Sequence, residues 1–226
     1  MNSINLLTRL LTSIVLIILL ILSFNYSYIL IILLILLSFI SWIEFQGLIS
    51  KIFKKKNFKA NFYRKFFSGL SLFYLTIFSV IVFFGISQDN YKMSMLYFFS
   101  ICIFSDIGGL LFGKIFGGKK LTKISPNKTI SGSIGSFILS LSLVPIFYFL
   151  LSDQFLNLLK LILLAISVSL FCQIGDLFIS YLKRKAKVKD TGDILPGHGG
   201  LLDRIDGMIF AIPLGVLISE FLILII

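Results

Sequence analysis

Seven apolar runs, several of them long enough to cross a hydrocarbon layer as helices, fix most of what this chain can become. They fall at about 6–23, 28–43, 66–87, 93–113, 130–152, 156–179 and 208–226. A helix rises ~1.5 Å per residue, so roughly 20 residues cross a bilayer core. Lipid admits only backbones whose polar groups are satisfied internally. Of the 226 residues 58% are hydrophobic, and no long polar segment remains from which a soluble domain could be built. The sequence predicts an all-α, polytopic transmembrane helical bundle of about seven spans with cytoplasmic polar loops, residues 1–226 forming a single integral-membrane domain. Arg9 and the run behind it have the outline of a signal peptide. No small-residue cleavage pattern follows, so that run is read as the retained first helix of a hairpin.

The formal net charge of +11 is first a statement about orientation. Residues 51–65 hold seven Lys or Arg, 114–128 hold five and 183–206 hold six, while the intervening loops hold only Lys92. Basic loops stay on the cytoplasmic side. That places the N-terminus and the three basic segments in the cytoplasm and the C-terminus outside, and makes membrane lipids rather than nucleic acid the expected anionic partner. Cys102 and Cys172 stand alone in separate apolar runs, so neither a disulfide framework nor a CxxC metal site is available. No internal repeat or inverted pairing of halves supports a transporter architecture.

Orientation accounts for lysines and arginines but not for acids inside apolar runs, where a carboxylate costs about 2.5–3.5 kcal/mol on insertion scales. Asp106, in IFSDIGGLLFG, and Asp176, in FCQIGDLFIS, are two such acids. Either their helices end early and the aspartates lie beyond them, or they line a polar cavity that binds a cation. Asp203 and Asp206 precede the last span and share a face if a helix begins there. Favouring a helix N-terminus would explain Asp206 by itself. Neither alternative explains the density of Asp176, Lys183, Arg184, Lys189, Asp203, Arg204 and Asp206 around His198, the only histidine. Carboxylates and cations so interleaved can pair with one another. They also provide hard oxygens for Mg²⁺ and basic groups for phosphates, the needs of a magnesium nucleotide. In LPGHGGLLD the glycines, Gly199 and Gly200 among them, permit close backbone approach to a ligand. A second polar island runs from Gly113 to Gly135 and contains SPNKT, with Ser125, Lys128 and Thr129 as anion-binding candidates, although it is not a GxxxxGK[ST] phosphate loop.

Ser180, Lys183, Arg184, Lys189, Asp190, Gly192, Leu195, Pro196, His198, Gly199, Gly200, Asp203, Arg204 and Asp206 reproduce S-x-x-K-R-x4-K-D-x-G-x2-L-P-x-H-G-G-x2-D-R-x-D without a gap. This resembles the signature of the phosphatidate cytidylyltransferase family, the CDP-diacylglycerol synthases. GDLFIS resembles the lead-in G-D-L-x-x-S and ISPNKT the segment S-P-x-K-T, so the specific resemblance covers roughly residues 105–207. Two departures stand out. Asp106-Ile107-Gly108-Gly109-Leu110 replaces the usual Asp-Thr-Gly-Ala-Tyr, and Ser131 stands where Glu is common.

The resemblance implies CTP plus phosphatidate giving CDP-diacylglycerol and pyrophosphate, with Mg²⁺, a monovalent cation such as K⁺ beside it, and a homodimer. It implies Asp176 and Asp203 as metal ligands. Lys183, Arg184, Lys189 and Arg204 would serve the triphosphate or lipid headgroup, Asp190 and Asp206 would orient those bases, and His198 would meet phosphate or the departing pyrophosphate. Asp106, Ser125, Lys128, Thr129, Gly199 and Gly200 would bind substrate. A CTP-dependent kinase of a polyprenol or other lipid alcohol is the near alternative. A cation-coupled membrane transporter is the alternative from another class, and it would place its charges near the midplane rather than at one boundary.

Overall fold

A computed structural model describes residues 15, 18–54, 57–151, 157–194 and 199–225. Among the described residues seven α-helices are distinguished: α1 (Ser27–Ile52), α2 (Phe58–Ser87), α3 (Asp89–Phe116), α4 (Ile130–Leu141), α5 (Val144–Leu150), α6 (Leu158–Ala186) and α7 (Leu202–Ile225). Taking α4 and α5 together leaves six segments, and all six are long and apolar enough to cross a membrane. These are the spans expected from 28–43 onward. The first expected span, 6–23, lies largely outside the described residues, with Arg9.

The helices outrun the apolar runs, mostly at their basic ends. The segment 51–65, expected as a loop, is helical from Phe58, so Lys59, Arg64 and Lys65 ride on the first turns of α2. Lys183, Arg184 and Lys185 likewise form the last turn of α6. Long basic side chains extend toward water while their stems cover apolar surface, so a helix can continue past the hydrocarbon boundary that hydropathy marks. The expected span 130–152 is broken at Ser142 and Leu143. Pro145, at the start of α5, has no N–H to offer the Leu141 carbonyl and cannot continue α4.

The chain divides into two compact units, Met1–Ser87 with Leu182–Ile205, and Gln88–Tyr181 with Asp206–Ile226. In the first, α1 buries Leu30, Leu34, Ser41, Glu44 and Leu48 along one stripe at helical spacing. Polar contacts tie α1 to α2: Trp42 Nε1 donates to the Ser68 carbonyl (3.0 Å), Gln46 Nε2 to Ser68 Oγ (2.7 Å), and Ser38 meets Ser79 (2.6 Å). In apolar surroundings such contacts and close packing must hold helices together, because lipid is as apolar as the side chains it would release.

In the second unit α3 and α4 meet through glycine. A Cβ on Gly132 would stand 2.7 Å from the Gly109 carbonyl oxygen, and one on Gly135 2.8 Å from that of Gly108. Backbone contact of this kind admits no side chain. Ser136 Oγ donates to the Ser105 carbonyl (2.7 Å), Ser105 Oγ pairs with Ser169 on α6 (2.9 Å), and the Tyr97 hydroxyl reaches the Leu161 carbonyl (2.9 Å). Glycine meets glycine again between α6 and α7, where a Cβ on Gly175 would lie 2.6 Å from the Asp206 carbonyl and 3.2 Å from Gly207 Cα.

Gly108→Ala therefore overpacks the α3–α4 contact and is expected to cost about 1–3 kcal/mol. Gly69→Ala, at a position with open space around it, is expected to leave stability unchanged or slightly raised. Thermal unfolding of both variants in detergent checks this, and equal melting temperatures would dismiss the close approach.

Candidate active site

The second unit builds a polar pocket beneath a short hairpin. α3 ends where Gly117 and Gly118 take φ of 56° and 100°, values that favour glycine. The chain then returns on itself: Ile130 N–H donates to the Lys119 carbonyl (3.0 Å) and Leu121 N–H to that of Lys128 (2.8 Å). Ser125 sits at the tip, its carbonyl accepting from Lys128 N–H (3.1 Å). Thr129 then caps α4, its hydroxyl accepting from Gly132 N–H at 3.1 Å. SPNKT is thus a turn that carries Lys128 and delivers the chain into a capped helix.

Lys128 forms an ion pair with Asp176 of α6, each side chain less than a third exposed (27% and 30%). Asp106, Lys128, Thr129, Ser133, Gln173 and Asp176 all line one pocket of about 310 Å³. Ser133 Oγ donates to Gln173 Oε1 (2.5 Å), Ser180 Oγ to Asp176 (3.5 Å), and the Cys172 thiol lies 3.8 Å from Asp106. Neither aspartate lies beyond a helix end: α3 continues to Phe116 and α6 to Ala186. Of the two expected alternatives the polar cavity is the one observed, with two carboxylates and one ammonium facing the same space.

Asp203, Lys183, Arg184, Lys189, Asp190, Gly199, Gly200 and Arg204 belong to the first unit. Lys183 Nζ donates to Asp203 Oδ1 (2.6 Å), with side chains only 16% and 9% exposed. Asp203 Oδ2 accepts from the backbone N–H of Thr191 (2.8 Å) and lies 2.9 Å from the Thr191 hydroxyl. The helix begins at Leu202, ahead of the expected span 208–226, so Asp203 occupies the first turn of α7. Gly199 has φ of 81° and packs over the Asp190 side chain. Arg184, Lys189, Asp190 and Arg204 are exposed. Asp206 falls in the second unit, where Gly175 packs against its carbonyl and its own Oδ1 accepts from Gly207 N–H (2.9 Å). His198 lies outside the described residues.

Sequence reasoning missed Glu44. This α1 carboxylate is 4% exposed and accepts from Leu201 N–H (3.0 Å), Leu202 N–H (2.8 Å) and the Thr191 hydroxyl (2.9 Å). The signal was present: Glu44 is the sole acid in the first 88 residues and directly follows the apolar run 28–43. Its carboxylate also packs against two glycines: a Cβ on Gly200 would stand 2.7 Å from Glu44 Oε2 and one on Gly192 2.7 Å from Oε1. The two departures resolve differently. Ser131 Oγ donates to the Gly117 carbonyl and meets Thr129 (2.9 Å), bracing the hairpin, while Ile107 is 43% exposed and Leu110 edges the pocket.

Among the described residues no three His, Cys, Asp or Glu side chains gather into a metal-holding group. The acids present nevertheless suit Mg²⁺, which commonly takes one or two protein carboxylates and completes its shell with water and substrate phosphates. Asp106 and Asp176 on one pocket offer that donor set.

Comparison with known proteins matches the family described as the cytidylyltransferase family to residues 1–222. The chain is 49% identical over 121 residues to a phosphatidate cytidylyltransferase of Staphylococcus haemolyticus, covering 53% of this chain and 46% of that protein. It is 42% identical over 146 residues to the Rickettsia bellii protein of the same name, covering 60% and 61%, and 42% identical over 127 residues to that of Bacillus subtilis, covering 55% and 47%. The chain spans about half the length of most curated relatives it matches.

Lys128→Gln and Asp176→Asn should each destabilise the protein, and their double variant should lose less than the sum. The coupling expected for a half-buried contacting pair is about 1 kcal/mol. A double-mutant cycle by denaturation in detergent measures it, and additive losses would mean the two charges do not interact.

Proposed function

The chain belongs to the cytidylyltransferase family, and from that premise we propose that it is a phosphatidate cytidylyltransferase, forming CDP-diacylglycerol and pyrophosphate from CTP and phosphatidate. The observation that carries the reading is the pairing of lysine with carboxylate, Lys128 with Asp176 and Lys183 with Asp203, within the segments that carry the signature. A protein that handles a triphosphate needs cations for phosphate and hard oxygens for metal, and these two pairs hold both kinds of group side by side.

In this reaction an oxygen of the lipid phosphate attacks the α-phosphorus of CTP, the α–β bridging bond breaks, and pyrophosphate leaves. A phosphomonoester has its second pKa near ~6, so the nucleophile is largely ionised at neutral pH and needs little help from a general base. The obstacle is repulsion between two anions, and stabilisation comes from positioned positive charge. Lys128 and Lys183 can exchange a carboxylate for a phosphate oxygen, each leaving its aspartate open to a metal ion. Asp176 and Asp203 are the proposed metal carboxylates, each taken with its own neighbours, and Asp106 adds hard oxygens to the pocket of Asp176. Bound Mg²⁺ would supply charge neutralisation and alignment of the phosphates.

Arg184, Lys189 and Arg204 serve the triphosphate or headgroup, Asp190 and Asp206 orient the bases, and His198 meets the pyrophosphate. Ser125, Thr129, Gly199 and Gly200 complete the substrate contacts. K⁺ beside the magnesium and a homodimer belong to the same proposal, on the resemblance alone. The charge asymmetry supports a cell-membrane enzyme with its N-terminus and basic segments cytoplasmic and its C-terminus outside. There CTP arrives from water while the acyl chains stay in the bilayer.

Purified protein in detergent, given labelled CTP, phosphatidate and Mg²⁺, should yield CDP-diacylglycerol and pyrophosphate. Asp203→Asn should abolish turnover while the protein still folds. Release of CDP with phosphorylation of a lipid alcohol would reveal a kinase instead, and normal turnover by Asp203→Asn would remove that residue from the metal site.

A further inference from the structure

Glu44 stands far from the signature in sequence but holds it in space. It projects from the buried stripe of α1 and takes two backbone N–H groups, Leu201 and Leu202, at the start of α7. The first amides of a helix have no intrahelical acceptor, and the helix dipole favours a negative group there. Glu44 therefore caps α7 from another helix, where a local Ser, Thr or Asp would ordinarily do so. Its Oε2 also meets the Thr191 hydroxyl, whose oxygen is equally 2.9 Å from Asp203 Oδ2. Asp203 in turn receives Lys183. One continuous chain of hydrogen bonds joins Glu44, Thr191, Asp203 and Lys183.

We propose that Glu44 is a positioning residue for Asp203, acting through the Thr191 hydroxyl and through the first turn of α7. It touches no reacting atom. The Thr191 hydroxyl has one proton and two carboxylate oxygens within reach, so it donates to one at a time. When Asp203 engages a cation, the hydroxyl turns to Glu44 and no buried donor is stranded. Glu44 thus holds Asp203 in place while leaving its oxygen available. Gly192 and Gly200 follow from the same contact, because a side chain at either would enter the space of the Glu44 carboxylate. The catalytic part of this inference rests on the function proposed above, whereas the anchoring of α7 does not.

The test uses the full chain in detergent, with Glu44→Gln, Thr191→Val and Thr191→Ser. Glutamine keeps the size of Glu44 but replaces one acceptor oxygen with a donor. Turnover to CDP-diacylglycerol, corrected for folded protein, should fall about 10–100-fold in Glu44→Gln, the loss typical of partners that orient metal ligands. KM for CTP and phosphatidate should stay within about twofold, since the residue acts on placement rather than on substrate affinity. Hydrogen exchange at the Leu201 and Leu202 amides should accelerate in Glu44→Gln. Thr191→Val should reproduce the loss of kcat and Thr191→Ser should retain most of it.

Wild-type kcat in Glu44→Gln or in Thr191→Val would overturn the positioning role, as would unchanged exchange at Leu201 and Leu202 in Glu44→Gln. If Glu44→Gln does not fold, the two Thr191 variants decide: equal kcat in Val and Ser refutes the role, and loss in Val alone upholds it. If the wild-type protein makes no CDP-diacylglycerol, the proposed function fails, while the exchange rates still decide whether Glu44 anchors α7.

Discussion

A carboxylate inside an apolar helix must find a cation or hydrogen-bond donors, and that requirement governs the half-buried and buried acids described here. The unpaired ion is expensive to remove from water, and a buried pair persists only with good geometry and further hydrogen bonds. Asp176 meets it with Lys128. Asp203 does so with Lys183 and Thr191, and Glu44 with two amides and a hydroxyl. Each solution couples segments distant in sequence. The charges that would serve phosphate chemistry are therefore the same charges that hold the polar regions together.

The uncharged scaffold does the complementary work. Glycines on facing helices let α3 and α4 approach to backbone contact, and serine hydroxyls satisfy neighbouring carbonyls instead of facing lipid. Ile101 and Cys102 are fully buried on α3, and one turn further on Ser105 and Asp106 of the same helix line the pocket.

Much of this was legible in the residues. The apolar runs gave the helices from Ser27 onward, and the spacing of Lys183, Asp190, Gly192, Gly200, Asp203 and Asp206 carried the family. Helix ends were not legible, because Lys59, Arg64 and Lys183 depress hydropathy without ending a helix. The break at Ser142 was signalled only by Pro145, inside an otherwise uniform run. SPNKT read as a loose polar island because hairpin closure depends on backbone pairing between Lys119 and Ile130 that side-chain pattern does not record. Glu44 was visible as an isolated acid, but nothing in its neighbours named a partner more than a hundred residues away. Gly200 was read as a place of close backbone approach, and a Cβ there would meet the Thr191 hydroxyl at 2.0 Å and Glu44 Oε2 at 2.7 Å. That those two side chains crowd it depends on a contact between distant segments that local sequence does not record.

The hairpin that carries Lys128 has a further implication for variation among relatives. Its two arms pair in a fixed register, Lys120 opposite Thr129. Side chains alternate between faces along such paired arms, so a one-residue slip of one arm against the other would turn Lys128 to the opposite face. The composition of this loop can drift, since a turn tolerates many polar residues, so long as the register that presents Lys128 to its aspartate is kept.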